Sequence, residues 1–547
     1  MLSIRKSTKE VKRLVPSWNG DGRDNRAIVP ITTREYVTND AAVQALAADP
    51  SLFQRAGYLV HVIRMDKARD DGCVHRPANT PEIRDVSPAL LRDRLTRYAR
   101  FQKRDARRKD KNAWVDTHPP DWCVNAVLAR GQWDTVRYLT GFTTTPVLRP
   151  DGTLLLQPGY DAQTGLLLLS NDNLTISVPD APTPKQVWQA VTLLLDLLRD
   201  FPFANAPLHK SVWLSFLLTA LSRHAIDGPA PLTLFDGTHP GAGKSLLCSI
   251  ACLLVTGEDI PVSVEHKDGA EMRKSLTSTA LAGDPFVVID NVNGTLSSPA
   301  LNAALTGTVW NERKIGTNEK AKRPLYTTFA ATGNNVVLGK EMSRRVLRVY
   351  LRSDQANPED RARSGFKYSN LRQYVKDNRG KLLSAALTIL RGYCAAGRPD
   401  MRLRSLGSFE AWSDLVRNAI VWADKRLPDP GDSRDEIRRA CDPETTNDLP
   451  VLLEGIRKLD NKHQGLLVSD IIEQAQYQQS SCKELWDVLK RNWPGKSAAE
   501  PINGRALGMK LHHIQDSVIG NMTLKKTNGA DSRVARWKVV TTGETAD

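Results

Sequence analysis
The stretch Asp236-Gly237-Thr238-His239-Pro240-Gly241-Ala242-Gly243-Lys244-Ser245, near the middle of the 547-residue chain, leaves the fewest choices of fold. A short apolar run, Pro231 to Phe235, precedes it, and an apolar run of helical length, Leu246 to Val255, follows. Strand, glycine-rich turn, Gly-Lys-Ser and helix form a P-loop arrangement. Its glycines let backbone N–H groups curl around phosphate oxygens, and the helix N-terminus adds its dipole. The expected nucleotide contacts are Pro240, Gly241, Ala242, Gly243, Lys244, Ser245 and Leu246. Lys244 would reach the β- and γ-phosphates of ATP, and the Ser245 hydroxyl would ligate Mg2+. The pattern G-x-x-x-x-G-K-S wants glycine where Thr238 stands, and Gly237 comes one place early.

A phosphate cradle of this kind needs a carboxylate for the metal. Phe286-Val287-Val288-Ile289-Asp290 is an apolar run closing on an acid, 46 positions past Lys244 (290 − 244). It reads as a buried strand that delivers Asp290 to Mg2+. Asn291 follows, where many such ATPases carry an acid; an amide orients water but cannot take its proton at neutral pH. Glu265 and Glu271 are the candidate glutamates for that role. Candidate strands are Pro261–Val264, Phe286–Asp290, Tyr326–Thr332 and Val346–Leu351, alternating with helices as an α/β sheet demands. The third ends in polar residues, and Asn334 there would hydrogen-bond the γ-phosphate or the attacking water. Arg344 and Arg345 open the fourth, and either could stabilise transition-state charge in a neighbouring subunit or form a surface salt bridge. The expected catalytic set is therefore Lys244, Asp290, Asn291, Asn334, Arg344 and Arg345, with Ser245 and Asp290 on the metal. Trp310 to Arg323 reads as a basic hairpin, with Lys314, Lys320, Lys322 and Arg323 as candidate DNA-phosphate contacts or simply an exposed hairpin.

Charge agrees with a polyanionic partner: 76 Lys+Arg against 61 Asp+Glu gives +15, and the isoelectric point is near 9.4. Seven scattered cysteines argue against a disulfide framework, and Cys248 and Cys252 read as packing residues. With no secretory h-region and no apolar run near 18 residues, the expectation is a soluble, cytoplasmic protein without a membrane segment.

Residues 1–115 read as a mixed α/β region with a strand at Tyr58–Met65. Asp66, Asp70 and Asp71 sit in a glycine-containing loop, so no primase active site is expected. Arg92 to Lys111 holds ten Lys/Arg against three Asp, and Leu91, Leu95, Tyr98 and Phe101 keep approximate helical spacing. That window could be a solvated helix face or a DNA contact. Residues 116–183 read as an accessory region with a β-hairpin at Asp151-Gly152 and a linker ending at Pro184. Helices are expected over 184–230 and 366–455, flanking a core over 231–365. In the last unit, 456–547, three helices precede a basic β-hairpin, which reads as a winged helix. Arg505, Lys510, Lys525, Lys526 and Arg536 are its candidate DNA contacts.

The order Gly241–Ser245, Phe286–Asn291, Thr332–Asn335, Ser343–Arg345 resembles Walker A, Walker B, sensor 1 and arginine finger of the AAA+ superfamily. More narrowly, it resembles the superfamily 3 helicases of phages, plasmids and integrated elements, over roughly residues 115 to 430. Pro119-Pro120-Asp121-Trp122, Leu148–Gly152 and Pro158–Asp161 look like the accessory region of mobile-element primase-helicases. The resemblance implies a hexameric ring that hydrolyses ATP and translocates on single-stranded or forked DNA, with a primase or initiator acting in trans. Two other functions stay open: a DNA-bound ATP switch that initiates or loads without processive unwinding, and a regulatory or defence AAA+ ATPase.

Overall fold
The computed structural model describes residues 24–70, 74–105, 114–169, 174–238, 241–258, 262–264, 269–313, 320–352, 365–441, 448–461, 464–477, 482–495, 497, 501–515, 518–519, 522–528 and 535–541. The chain divides into two compact units, one ending at Ser433 and the other beginning at Arg434.

The first unit is mixed α/β and is built on parallel strands. These are β1 (Leu232–Gly237), β2 (Val262–Val264), β3 (Phe286–Leu296), β4 (Thr328–Leu338) and β5 (Val346–Leu351), with helix α1 (Lys244–Thr256) after β1. Their spatial order is β5-β1-β4-β3-β2, and each neighbouring pair is parallel. All six residues of β1 are buried, as are the first four of β3 and the first six of β4. Runs so continuously apolar or small need cover on both sheet faces. Helices Pro184–Asp196, Ala206–Ser222, α1 and Arg379–Ala395 share one hydrophobic core with the strands. Phe216 meets Phe235 and Phe286 edge-on at 5.4 and 5.7 Å, and the Trp213 indole donates to the Leu247 carbonyl at 2.9 Å. Cys248 and Cys252 pack in the same core. The helix from Pro184 starts where proline and a capping box dictate: Thr183 accepts from the Gln186 N–H, and the Gln186 side chain accepts from the Thr183 N–H at 2.8 Å.

The N-terminal segment extends this sheet. His75–Arg76 pairs antiparallel with β2, and Arg69–Asp70 continues beyond it, making seven strands. Buried arginines tie the segment to the core. Arg76 pairs with Asp284 at 2.6 Å, both side chains at most 4% exposed. Arg55 donates to the carbonyls of Ala280 and Pro324 at 3.1 and 3.0 Å. The expected helical run through Phe101 stops earlier. Leu91 and Leu95 are buried on the helix Pro88–Tyr98, but Phe101 lies in the strand Ala99–Arg104, between Ala27–Pro30 and Trp114–Thr117. Burial there alternates with period two, Ala99 and Phe101 facing inward. Several arginines of this basic window are paired within the chain: Arg92 with Asp121, Arg94 with Asp49, Arg97 with Asp93 and Arg100 with Asp116. The Asp-Gly hairpin forms as its turn chemistry requires, Val147 opposite Leu155, with Gly152 at φ +85°.

The second unit has its own core. Helices Asp448–Leu459, Val468–Tyr477, Lys483–Asn492 and Gly504–His513 precede strands Val518–Ile519, Met522–Asn528 and Ala535–Thr541, which pair antiparallel. Leu453, Ile456, Leu485, Leu489, Leu511, Leu524 and Trp537 meet in its interior. Asn503 caps the fourth helix, accepting from the Ala506 N–H at 3.0 Å. Among the described residues, no helix is long and apolar enough to cross a membrane.

Candidate functional site
Strand order creates the site. β4 follows β3 in the chain but lies between β1 and β3, so its carboxyl end borders both the glycine-rich loop and the acid closing the apolar run of β3. In an open parallel sheet, the carboxyl ends of strands around a crossover reversal form a ligand crevice.

The loop's glycines are sterically required. A Cβ on Gly237 would stand 2.8 Å from the Leu351 carbonyl oxygen and 3.3 Å from Lys244 Cδ. Gly241 and Gly243 have φ of +74° and +96°, and Gly243 is the N-cap of α1. Lys244, 7% exposed, sends its Nζ to Asn334 Oδ1 at 2.6 Å. Burial pulls the Lys244 ammonium pKa down, while the Asp236 carboxylate opposes that. Ser245 is exposed on the first turn of α1, Leu246 is half-buried and Ala242 buried. Pro240 lies outside the described residues.

The β3–β4 pairing slips twice here. Ile289 pairs with Ala331, but the next pair is Val292 with Gly333, so Asp290 and Asn291 share Thr332 as their opposite. The Thr332 hydroxyl serves both, donating to Asp290 Oδ1 at 2.5 Å and accepting from the Asn291 N–H at 3.1 Å. Further on, Asn293 pairs with Asn334 and Thr295 with Val337, which gives the extra residue to β4 and restores the register. Asn291 and Asn335, with φ of +57° and +48°, mark the two slips. Asparagine tolerates this left-handed region better than most residues. Bulges of this kind redirect side chains near functional sites. They also carry β4 on to Leu338, so Asn334 is a strand residue and does not follow the strand end expected at Thr332.

The remaining candidates separate. Arg345 Nη1 pairs with Glu341 Oε2 at 2.9 Å. Arg344 is exposed and forms no hydrogen bond or ion pair among the described residues. Val309–Arg313 and Lys320–Pro324 form the expected hairpin, Val309 opposite Pro324. Lys322 on it is exposed. Arg323 departs from the expected phosphate contact: it is 2% exposed, its guanidinium 3.9 Å from the Tyr58 ring centroid and 3.1 Å from Asp85 Oδ1. An inward position on the hairpin base uses its charge inside the protein. Lys314 and the Lys320 side chain lie outside the described residues, as does Glu265, while Glu271 pairs with Lys274 at 2.5 Å. In the second unit, Arg505, Lys525 and Lys526 are exposed, Lys510 is half-buried, and Arg536 donates to the Gly465 carbonyl at 3.1 Å. Thr332, Asn335 and Asp236 lie in the stretches the sequence singled out without a role of their own, because only the strand order shows what they touch.

No protein-family model matches this chain, and no curated protein matches it in sequence. Among solved structures, the apo C-terminal region of NrS-1 is 11% identical with a TM-score of 0.35, over 88% of this chain and 96% of that one. The JCV helicase is 16% identical with a TM-score of 0.20, over 45% and 67%. SCCmec type IV Cch, described as an active helicase, is 10% identical with a TM-score of 0.33, over 90% and 97%. Likeness this loose carries no argument, and the functional reading rests on the site's own geometry.

Proposed function
We propose that this protein is an ATP- and Mg2+-dependent motor on DNA, a helicase or translocase of the AAA+ superfamily 3 type that assembles as a hexameric ring. Replication of a phage, plasmid or integrated element is the matching role. The observation that carries the reading is the contact of Lys244 with Asn334, which brings the first turn of α1, after the glycine loop, to the polar stretch of β4 next to β3 and its Asp290.

The residues fit a nucleoside triphosphate. Gly241 and Gly243 have left-handed backbones at the helix N-terminus, and a buried lysine supplies positive charge there. Lys244 and the loop N–H groups would hold phosphates. Ser245 and Asp290 would hold Mg2+, which supplies neutralisation of phosphate charge. Thr332 orients the Asp290 carboxylate through its hydroxyl. Asn334 would receive the γ-phosphate side of the ligand, and the exposed Asn291 amide would orient water without taking its proton. Arg344, exposed and outside the Arg345–Glu341 ion pair, is the better finger for a neighbouring subunit than Arg345. Lys322 on the hairpin would contact DNA phosphates. So would Arg505, Lys510, Lys525, Lys526 and Arg536 on a C-terminal winged helix.

The Asn291 amide favours a second reading, a DNA-bound ATP switch that initiates or loads without unwinding. One assay separates the two. Lys244→Ala is expected to abolish ATP-dependent strand displacement on a forked duplex while leaving salt-sensitive DNA binding largely intact. Wild-type protein that hydrolyses ATP on single-stranded DNA yet never displaces a strand would rule out the helicase and leave the switch.

A further inference from the structure
Three consecutive residues of β4 reach back to the glycine loop. The Asn334 carboxamide accepts from Lys244 Nζ at 2.6 Å. Asn335 Nδ2 donates to the Thr238 carbonyl at 3.3 Å, and its Oδ1 accepts from the Tyr350 hydroxyl at 3.1 Å. The Val336 N–H donates to Asp236 Oδ1 at 3.2 Å, and the same oxygen accepts from the Gly237 N–H at 2.8 Å. Residues 236, 238 and 244 on the loop side are thus stitched to 334, 335 and 336 on β4.

Asp236 is the unexpected member. It is fully buried, and its second oxygen, Oδ2, has no hydrogen-bond donor; Arg348 Nη1 lies 3.9 Å from it. Burial raises the Asp236 pKa, against two backbone N–H donors and the charges of Arg348 and Lys244. A carboxylate is an expensive group to bury without full satisfaction. An apolar residue at the end of a buried strand would avoid that cost, so a function for its acceptor oxygen is the economical explanation. That oxygen bonds the extra residue of the second slip, Val336, two places past Asn334 and across from the start of the loop.

We propose that Asp236 is a positioning residue for the nucleotide site: its Oδ1 holds the β4 bulge against the end of β1 and so sets the reach between Lys244 and Asn334. Asn335, in the same bulge, adds its own ties to Thr238 and Tyr350. Within the bulge Asn335 has a left-handed backbone and Val336 has no paired residue on β3, so the contact with Asp236 supplies the hydrogen bond that the ladder does not. With Asp236 in place the two phosphate-facing groups are held at hydrogen-bond distance before ligand arrives, which is preorganisation of the kind that raises turnover more than affinity.

The inference rests on the ATPase reading of this site, and the test separates the two. Full-length wild type, Asp236→Ala and Asp236→Asn are compared for binding of a fluorescent ATP analogue with Mg2+ and for steady-state ATP hydrolysis, with thermal unfolding as a check on folding. The carboxamide of Asp236→Asn keeps an acceptor oxygen for both N–H groups but carries no charge. Asp236→Ala is expected to lose about tenfold or more in kcat, with a change in analogue affinity of less than about threefold. Asp236→Asn should recover most of that kcat. Wild type that binds no nucleotide would defeat the ATPase reading itself. Wild type that turns over while Asp236→Ala matches it, or Asp236→Asn as impaired as Asp236→Ala, would overturn the positioning role. If Asp236→Ala fails to fold, Asn335→Ala, which removes the other brace, carries the same expected split between kcat and affinity.

Discussion

Replacing the Thr332 hydroxyl with a methyl would take a donor from Asp290 and an acceptor from the Asn291 N–H. Leaving one such group unpaired costs roughly 1–3 kcal/mol, so Thr332→Val should lower kcat for ATP hydrolysis about tenfold, with nucleotide affinity nearly unchanged in a titration. A second residue-scale expectation concerns acid stability. His224 Nδ1 is shut off from solvent without a hydrogen-bond partner. Burial, helped by the charges of Arg223 and Arg55, pushes its pKa down to about 3 from 6.5. The unfolded chain therefore takes up this proton first as pH falls. Stability from neutral His224 is fully present above about pH 6.5 and is lost progressively towards pH 3. Urea unfolding at pH 7 and pH 5 should show a larger drop for wild type than for His224→Phe.

At the scale of elements, arginines join segments far apart in the chain. Arg76 and Asp284 form a buried pair, and removing one partner of such a pair costs about 3–5 kcal/mol. Arg76→Met should accordingly shift the urea midpoint down strongly, whereas an exposed pair such as Arg97–Asp93 should matter little when broken. On the hairpin, Lys322 and its neighbour Arg323 should behave oppositely. Lys322→Ala should reduce the slope of log affinity for DNA against log salt by about 1. Arg323→Ala should leave that slope alone and lower the unfolding midpoint, because Arg323 stacks on Tyr58 and pairs with Asp85. The elements themselves were largely readable. β5 coincides with the expected Val346–Leu351, and the helix expected after the glycine loop runs Lys244–Thr256. Phe101 was misread because its spacing from Leu91 and Leu95 fits a helix, while its partners in Ala27–Pro30 lie about 70 residues away in sequence.

At the scale of the whole molecule, the proposed DNA binding should weaken steeply with salt if the net charge of +15 contributes through phosphate contacts. Fluorescence anisotropy across a salt series measures the slope, and a slope near zero would exclude phosphate contact as the main source of affinity. Arg344 bears on assembly. A finger that serves a neighbour's nucleotide predicts that Arg344→Ala suppresses hydrolysis in the assembled protein while nucleotide binding persists. Mixing it with Lys244→Ala should restore part of the activity, since each subunit would supply what the other lacks.

The sequence by itself determined the pieces whose chemistry is local. Glycines at 241 and 243 permit the left-handed backbone found there, Gly-Lys-Ser heads the helix expected after them, and the apolar run closing on Asp290 marks a buried strand. Those inferences need only neighbouring residues. The tertiary structure alone decided which distant residues share the site. β4 enters between β1 and β3, and that insertion sets Asn334 on Lys244, Thr332 on Asp290 and Val336 on Asp236. It also turned Arg323 inward and left Lys322 outward, a choice made by the side of the hairpin that meets Tyr58 and Asp85. Strand order and hairpin facing are settled by the packing of long-range partners, and no local pattern along the chain records them.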